Sequence, residues 1–274
     1  MEKAENVVEL RDSIEILPLE KEELVAQLID ELYIAGLIKP ENQYQMVEEL
    51  QRTKKEYHLK KQLFNSLSNL TIVTPSNWLK ERVEESFLKN NKIVVIPNGI
   101  DLSKSKVSQK FDKFTVLAVA SYWTKEKGID ELKKIIPLLN EDIDIIVVGE
   151  LKDKDPIFNR CKLIGRTNNY KELIELYSKS HLLINPSLED IFGLVNIEAQ
   201  SCGTPVAAYN TGGIPETIES GKIIEKEDKK ELANAIDLIK KDYIFDSNNI
   251  ASKMKKYNIK NMVSNYIDQY YKMR

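Results

Sequence analysis

Short apolar runs that alternate with segments of helical period constrain this chain most, because that alternation builds parallel strands joined by right-handed helical crossovers. The pattern runs from about Leu70 onward. The expected strands are LTIVT (70–74), KIVVIP (92–97), TVLAVA (115–120), IDIIVVG (143–149), CKLIG (161–165), HLLINP (181–186) and PVAAY (205–209). Their near-continuous Val and Ile content suits strands buried on both faces. Helices are expected over about 76–89, 128–139, 170–179, 192–202, 229–241 and 253–272. Punctuation agrees: Ser76 is placed to cap NWLKERVEESFL, and Asn98-Gly99 makes a turn after KIVVIP. The charged run EKEDKKE (225–231) reads as solvated surface leading into a helix. The fold class is therefore α/β, a Rossmann-like parallel sheet with flanking helices over 67–245, followed by a C-terminal helix within 246–274.

Residues 1–66 have a different character. LEKEELVAQLIDELYIAGLIKPENQYQMVEELQR has the period of amphipathic helices, broken at Gly36 and Pro40, with one strand expected before it in VVELRDSIEIL. This mainly helical segment reads as a remnant, an adaptor or a fusion. Its spacing resembles the start of the phosphotransferase-system EIIA domain of the fructose type, although the phosphorylated-histidine segment of such domains has no counterpart here.

The 274 residues carry 42% hydrophobic side chains, enough for a substantial core, and a formal charge of only −3. No global field draws such a chain to nucleic acid or anionic lipid, so an anionic ligand has to be captured locally. MEKAENVVEL lacks the apolar run of a secretory signal, and no later stretch is apolar for the roughly 18 residues of a spanning helix. The expected location is cytoplasmic, with no transmembrane segment. Cys161 and Cys202 lack the paired spacing of a zinc site and read as reduced structural thiols. His58 and His181 have no neighbouring Cys or His and read as surface or satisfied core residues.

The chemistry concentrates in NPSLEDIFGLVNIEAQSCGTPVAAYNTGGIPE, Asn185 to Glu216. A strand ends at Pro186, an acidic loop follows, a helix is expected to start near Phe192, and Gly203 ends it. In open α/β sheets ligands bind beyond the carboxyl ends of the strands, where this loop must lie. The N–H groups of Phe192, Gly193 and Leu194 are expected to be the open donors of a helix N-terminus, which favour a bound phosphate. Glu198 follows in the same helix, where a carboxylate can accept two ribose hydroxyls. Taken alone, Glu198 reads as a helix-surface residue paired with a basic neighbour.

These residues resemble the signature of the retaining, nucleotide-sugar-dependent glycosyltransferases of two-domain GT-B architecture, glycosyltransferase family 4. In that family an acidic pair is separated by seven residues, an aromatic-glycine step lies between them, and a G-x-P-V turn closes the unit. Asp190 and Glu198 have that separation, Phe192-Gly193 lies between them, and Gly203-Thr204-Pro205-Val206 follows. TPSNWLKERV (74–83), VIPNGID (95–101), EKGIDEL (126–132) and TGGIPETI (211–218) agree in order and spacing. The resemblance covers about Thr53 to the C-terminus and implies that Asp190 and Glu198 are the catalytic pair. It also implies that Gly212, Gly213 and Glu216 border the donor pocket, with Gly165-Arg166-Thr167 near the base. For these last residues a tight turn, a cap or a surface ion pair is the alternative.

Two positions depart from the family. Its first acid is usually Glu, whereas this sequence offers Asp190 preceded by Glu189. The family's diphosphate-binding Arg is replaced by Tyr122, while Lys127 matches its Lys and Lys125 offers a second cation. The family arrangement implies a nucleotide-diphosphate sugar as donor substrate and no metal or other cofactor. It also implies a facing acceptor domain, and the roughly 70 residues before TIVTPS do not show its βα units. The expectation is a donor half that is a separate subunit meeting an acceptor-domain partner or a second copy, a fragment or fusion product, or a degenerate homologue. The alternative is a non-catalytic nucleotide-sugar-binding or regulatory module.

Overall fold

In the computed structural model the described residues are 52, 55–64, 66–67, 69–152, 155–167 and 169–272. The strand expected in VVELRDSIEIL, the helices broken at Gly36 and Pro40, and the segment with the EIIA likeness lie outside them. The chain divides into two compact units. The first takes in the chain up to Leu70 together with Phe87–Asn91. Its described part includes a helix over 55–64, where the Tyr57 ring meets Phe87 edge-on at 5.4 Å. His58 on this helix is exposed.

The second unit, Thr71–Ser86 with Lys92–Arg274, carries everything that follows. Its main sheet is six-stranded and fully parallel, built from β3 (Thr115–Tyr122), β4 (Asp144–Glu150), β5 (Lys162–Ile164), β6 (Leu182–Asn185), β7 (Val206–Tyr209) and β8 (Gly221–Ile224). The spatial order is β5-β4-β3-β6-β7-β8. Alternate side chains of each strand face opposite sides. Val116, Ile145, Leu182 and Ala207 bury against α2 (Ile129–Ile135) and α5 (Lys229–Lys241). Leu117, Ile146, Leu183 and Val206 bury against α3 (Tyr170–Lys179) and α4 (Leu194–Ser201). Burial on both faces is why these strands read as continuous apolar runs.

Chain order reverses direction between β3 and β6. β3 leads outward through β4 to β5, and the chain then returns to pair β6 on the other side of β3. The carboxyl ends of β3 and β6 therefore flank a topological switch point, the place where such sheets open a crevice.

Two expected strands do not join this sheet. β1 (Thr71–Thr74) and β2 (Lys92–Val95) pair only with each other, in parallel, across α1 (Asn77–Glu84). A two-stranded pair is marginal alone. Beyond β2 the chain is tied down where Ile100 N–H donates to Tyr257 O and Ile259 N–H to Ile100 O, both at 2.9 Å. The helix expected over 253–272 starts later, as α7 (Ile259–Lys272), and is preceded by a 3₁₀ turn (Met254–Tyr257) and a separate helix, α6 (Ser247–Lys253). β8 was not expected, because Lys222 and Ile223 are exposed on this edge strand and leave no buried run to read. His181 is satisfied: its Nδ1 accepts the Thr115 N–H at 3.1 Å. Cys161 and Cys202 are free thiols. No helix among the described residues is long and apolar enough to cross a membrane.

Candidate active site at the switch point

Two loops meet over the crevice. The turn after β3 carries Lys127, and the loop after β6 carries Asp190. They are joined by backbone, since Leu188 N–H donates to Glu126 O at 2.8 Å, and by charge, since Lys127 Nζ lies 2.8 Å from Asp190 Oδ2. The other oxygen, Asp190 Oδ1, accepts the N–H groups of Phe192 at 3.1 Å and Gly193 at 3.0 Å. The sequence suggested that these two donors would be open; instead the Asp190 carboxylate closes an Asx-type turn over them. α4 consequently begins at Leu194, two residues later than expected, with Gly193 as its cap at φ +74°. That left-handed backbone is the reason for a glycine here. The N–H groups of Leu194 and Val195, first in α4, meet no acceptor among the described residues.

A buried amide network fixes α4 against the sheet. Asn185, the last residue of β6, donates from Nδ2 to Asn196 Oδ1 at 2.9 Å. Asn196 donates in turn to Thr217 Oγ1, and Gln200 Nε2 donates to the carbonyls of Asn196 and Thr217. Every polar group in such a network has a partner, so it specifies one position for the helix.

Two cavities open at the crevice and share Val119, Ala120, Ser121 and Val195. The smaller, about 330 Å³, is lined by Lys127, Asp190, Phe192, Gly193 and Leu194 among others. The larger, about 570 Å³, is lined by Tyr122, Gly165, Arg166, Thr167, Tyr170, Tyr177 and Glu198 among others. Among the described residues Glu198 forms no ion pair with a basic neighbour. Its carboxylate accepts the Tyr177 hydroxyl at 2.9 Å and the Tyr170 hydroxyl at 3.4 Å. Burial raises the Glu198 pKa above the ordinary glutamate value, and the two tyrosine hydrogen bonds oppose that rise. Burial, and then the Glu198 charge, raises both tyrosine hydroxyls.

Arg166 stands at the mouth of the larger cavity. Its Nε pairs with Glu150 at 2.6 Å, an Nη donates to the Tyr122 hydroxyl, and the guanidinium lies 5.4 Å from the Tyr122 ring centre. A guanidinium is thus present beside Tyr122, delivered from the loop between β5 and α3. Lys125, Gly212, Gly213 and Glu216 line neither cavity. Lys125 contributes its carbonyl to the turn that holds Gly128 N–H at 2.9 Å. Gly212 and Gly213 lie against the backbone of Asp190 and Ile191. Glu216 caps α1, accepting Asn77 N–H and Trp78 N–H at 2.8 Å each and Asn77 Nδ2 at 2.9 Å. A carboxylate at that helix N-terminus is stabilised by the open donors and by the helix dipole. Ser76, the expected cap, shares the task by accepting Leu79 N–H at 3.2 Å, and it donates to Ile191 O at 2.8 Å.

The sequence did not single out Tyr170 and Tyr177. In YKELIELY they stand seven residues apart, two turns along one helix face, a spacing that reads as core.

A doubly wound parallel domain of this kind is the type of domain found in GT-B glycosyltransferases. Residues 101–261 match the family described as Glycosyl transferases group 1, and the chain belongs to that family. Among its relatives, a human protein named as one of the subunits of phosphatidylinositol N-acetylglucosaminyltransferase is 30% identical over 168 residues, 56% of this chain and 34% of that protein. The Staphylococcus aureus capsular polysaccharide biosynthesis glycosyltransferase CapM is 30% identical over 193 residues, 61% of this chain and 51% of its own length. The chain thus spans about a third to a half of these curated relatives. In fold it is similar to Anabaena HepE solved in complex with UDP-glucose, with a TM-score of 0.67 and 20% identity over 80% of this chain and 68% of that one.

Proposed function

We propose that the crevice binds a nucleoside-diphosphate sugar and serves as the donor half of a retaining glycosyl transfer in polysaccharide or glycoconjugate synthesis. The observation that carries this reading is the Lys127–Asp190 bridge across the switch point, with the first N–H groups of α4 beside it and the Glu198 carboxylate in the adjoining cavity. The cation and the helix donors suit the diphosphate, where negative charge grows as the glycosidic bond breaks. Glu198 suits the ribose, as an acceptor for a pair of hydroxyls. Asp190 then orients the sugar end of the donor. Lys127, a helix terminus and neutral hydrogen-bonding groups hold the leaving group in this scheme, so it needs no metal or other cofactor. The UDP-glucose named with HepE supports the ligand class. The human relative is named as part of a multi-subunit transferase, which supports a domain that meets an acceptor-binding partner or a second copy of itself. A cytoplasmic location belongs to this proposal, since nucleotide sugars are made mainly there.

The test is Lys127→Ala, with affinity measured for a nucleoside diphosphate and for its parent nucleoside. Loss of a charge-assisted contact to phosphate is expected to weaken the diphosphate roughly 10- to 100-fold and the nucleoside by less than about threefold. Equal losses for the two ligands would mean that Lys127 only braces the loop of Asp190.

A further inference from the structure

The two tyrosines on Glu198 are unequal. Tyr177 is fully buried in the core between α3 and the sheet, and it holds Oε2 at 2.9 Å. Tyr170, the first residue of α3, is 37% exposed and reaches Oε1 at 3.4 Å, the outer limit of a hydrogen bond. Its ring faces Lys104 Nζ at 5.7 Å on the outer side. Both tyrosines line the larger cavity with the carboxylate between them. One oxygen of Glu198 therefore has a fixed donor of good geometry, and the other has a weak donor from a side chain at the surface.

We propose that Tyr177 is a positioning residue that aims Glu198 into the cavity, and that Tyr170 is a displaceable gate whose hydroxyl is exchanged at Oε1 for a ligand hydroxyl. The inference rests on the assignment of Glu198 to a sugar diol. Exchange is favoured because the bond surrendered is long and solvent-accessible, whereas a bound hydroxyl held by the diphosphate anchor can reach the ordinary distance of about 2.7 Å. Tyr177 cannot be exchanged in this way. Its hydroxyl is packed in the interior, and removing it leaves a buried carboxylate oxygen without a donor.

The experiment compares UDP with 2′,3′-dideoxy-UDP on the unaltered chain and on Tyr170→Phe and Tyr177→Phe, by calorimetry, with melting temperatures recorded. The unaltered chain is expected to prefer UDP. Tyr170→Phe is expected to bind UDP about two- to fivefold more tightly, because the competing donor is gone, and the dideoxy analogue unchanged. Tyr177→Phe is expected to bind UDP about tenfold or more weakly while keeping its melting temperature within a few degrees, and a Tyr177→Phe chain that binds UDP as the unaltered chain does would overturn the positioning role. A preference for UDP in the unaltered chain with no gain in Tyr170→Phe would overturn the exchange while leaving the ribose assignment standing. Equal binding of UDP and its dideoxy analogue by the unaltered chain would overturn the ribose assignment and the exchange with it.

Discussion

Gly212→Val is expected to lower the melting temperature by roughly 4–20 °C and to abolish tight nucleotide binding. Gly212 sits at φ +55°, and a Cβ built there lies 2.0 Å from the Asp190 carbonyl oxygen. The left-handed backbone costs a side-chain residue about 1–2 kcal/mol, and overpacking adds about 1–3 kcal/mol. At about 2–4 °C per kcal/mol for a domain of this size, the sum gives the stated range. The loop cannot yield without moving Asp190, since Gly213 N–H also donates to Asp190 O at 3.0 Å. The glycine step thus acts on the site from below, by fixing the backbone of the acid that meets Lys127. Gly165→Ala is the control: nothing lies within 4 Å of a Cβ there, so the melting temperature should stay where it is. A thermal melt of both variants decides the matter, and an unshifted Gly212→Val would show that the acidic loop is not held in this way.

Glu198→Gln is expected to cost roughly 1.5–3 kcal/mol of nucleotide affinity with the fold intact, because a charged acceptor for two hydroxyls is replaced by a neutral one. It should also change the pH dependence. Burial raises the Glu198 pKa in the ligand-free protein, and only the ionised carboxylate accepts from both hydroxyls. Affinity of the unaltered chain therefore falls as pH drops toward that raised pKa, and this component should vanish in Glu198→Gln. Titration calorimetry of the two proteins across weakly acid to neutral pH measures it. Parallel profiles at equal affinity would return Glu198 to a purely structural role.

Most of the scaffold was legible because buried parallel strands write continuous apolar runs: TVLAVA, IDIIVVG and HLLINP became β3, β4 and β6 with ends close to those expected. The exceptions have physical causes. β8 is an edge strand with two exposed residues, and strand pairing leaves no local trace, so the separation of β1 and β2 into their own sheet could not be read from LTIVT and KIVVIP. In the site, Asp190, Phe192 and Gly193 line one cavity and Glu198 lines the adjoining one. The spacing of these residues did not disclose that Asp190 takes the N–H groups of Phe192 and Gly193 for itself. A two-residue shift in a helix start lies within one turn of backbone and changes no hydrophobic period. The family resemblance pointed Glu216 toward the pocket, with a cap as the alternative, and its carboxylate caps α1, a contact 139 positions away in sequence. Tyr170 and Tyr177 were hidden for a related reason, since two tyrosines seven residues apart on one helix face have the same period whether their hydroxyls meet the core or a ligand-binding carboxylate.

The most direct test of the crevice as a nucleoside-diphosphate site is the melting temperature of the purified chain against a panel of nucleoside diphosphates of all the common bases at millimolar concentration. A ligand that binds only the folded chain stabilises it by RT ln(1 + [L]/Kd), about 2.7 kcal/mol at a hundredfold excess over Kd, or roughly 5–10 °C here. A shift of that size is expected with at least one base, reduced in both Lys127→Ala and Glu198→Gln. No shift with any of them, or a shift that both variants retain in full, would contradict it.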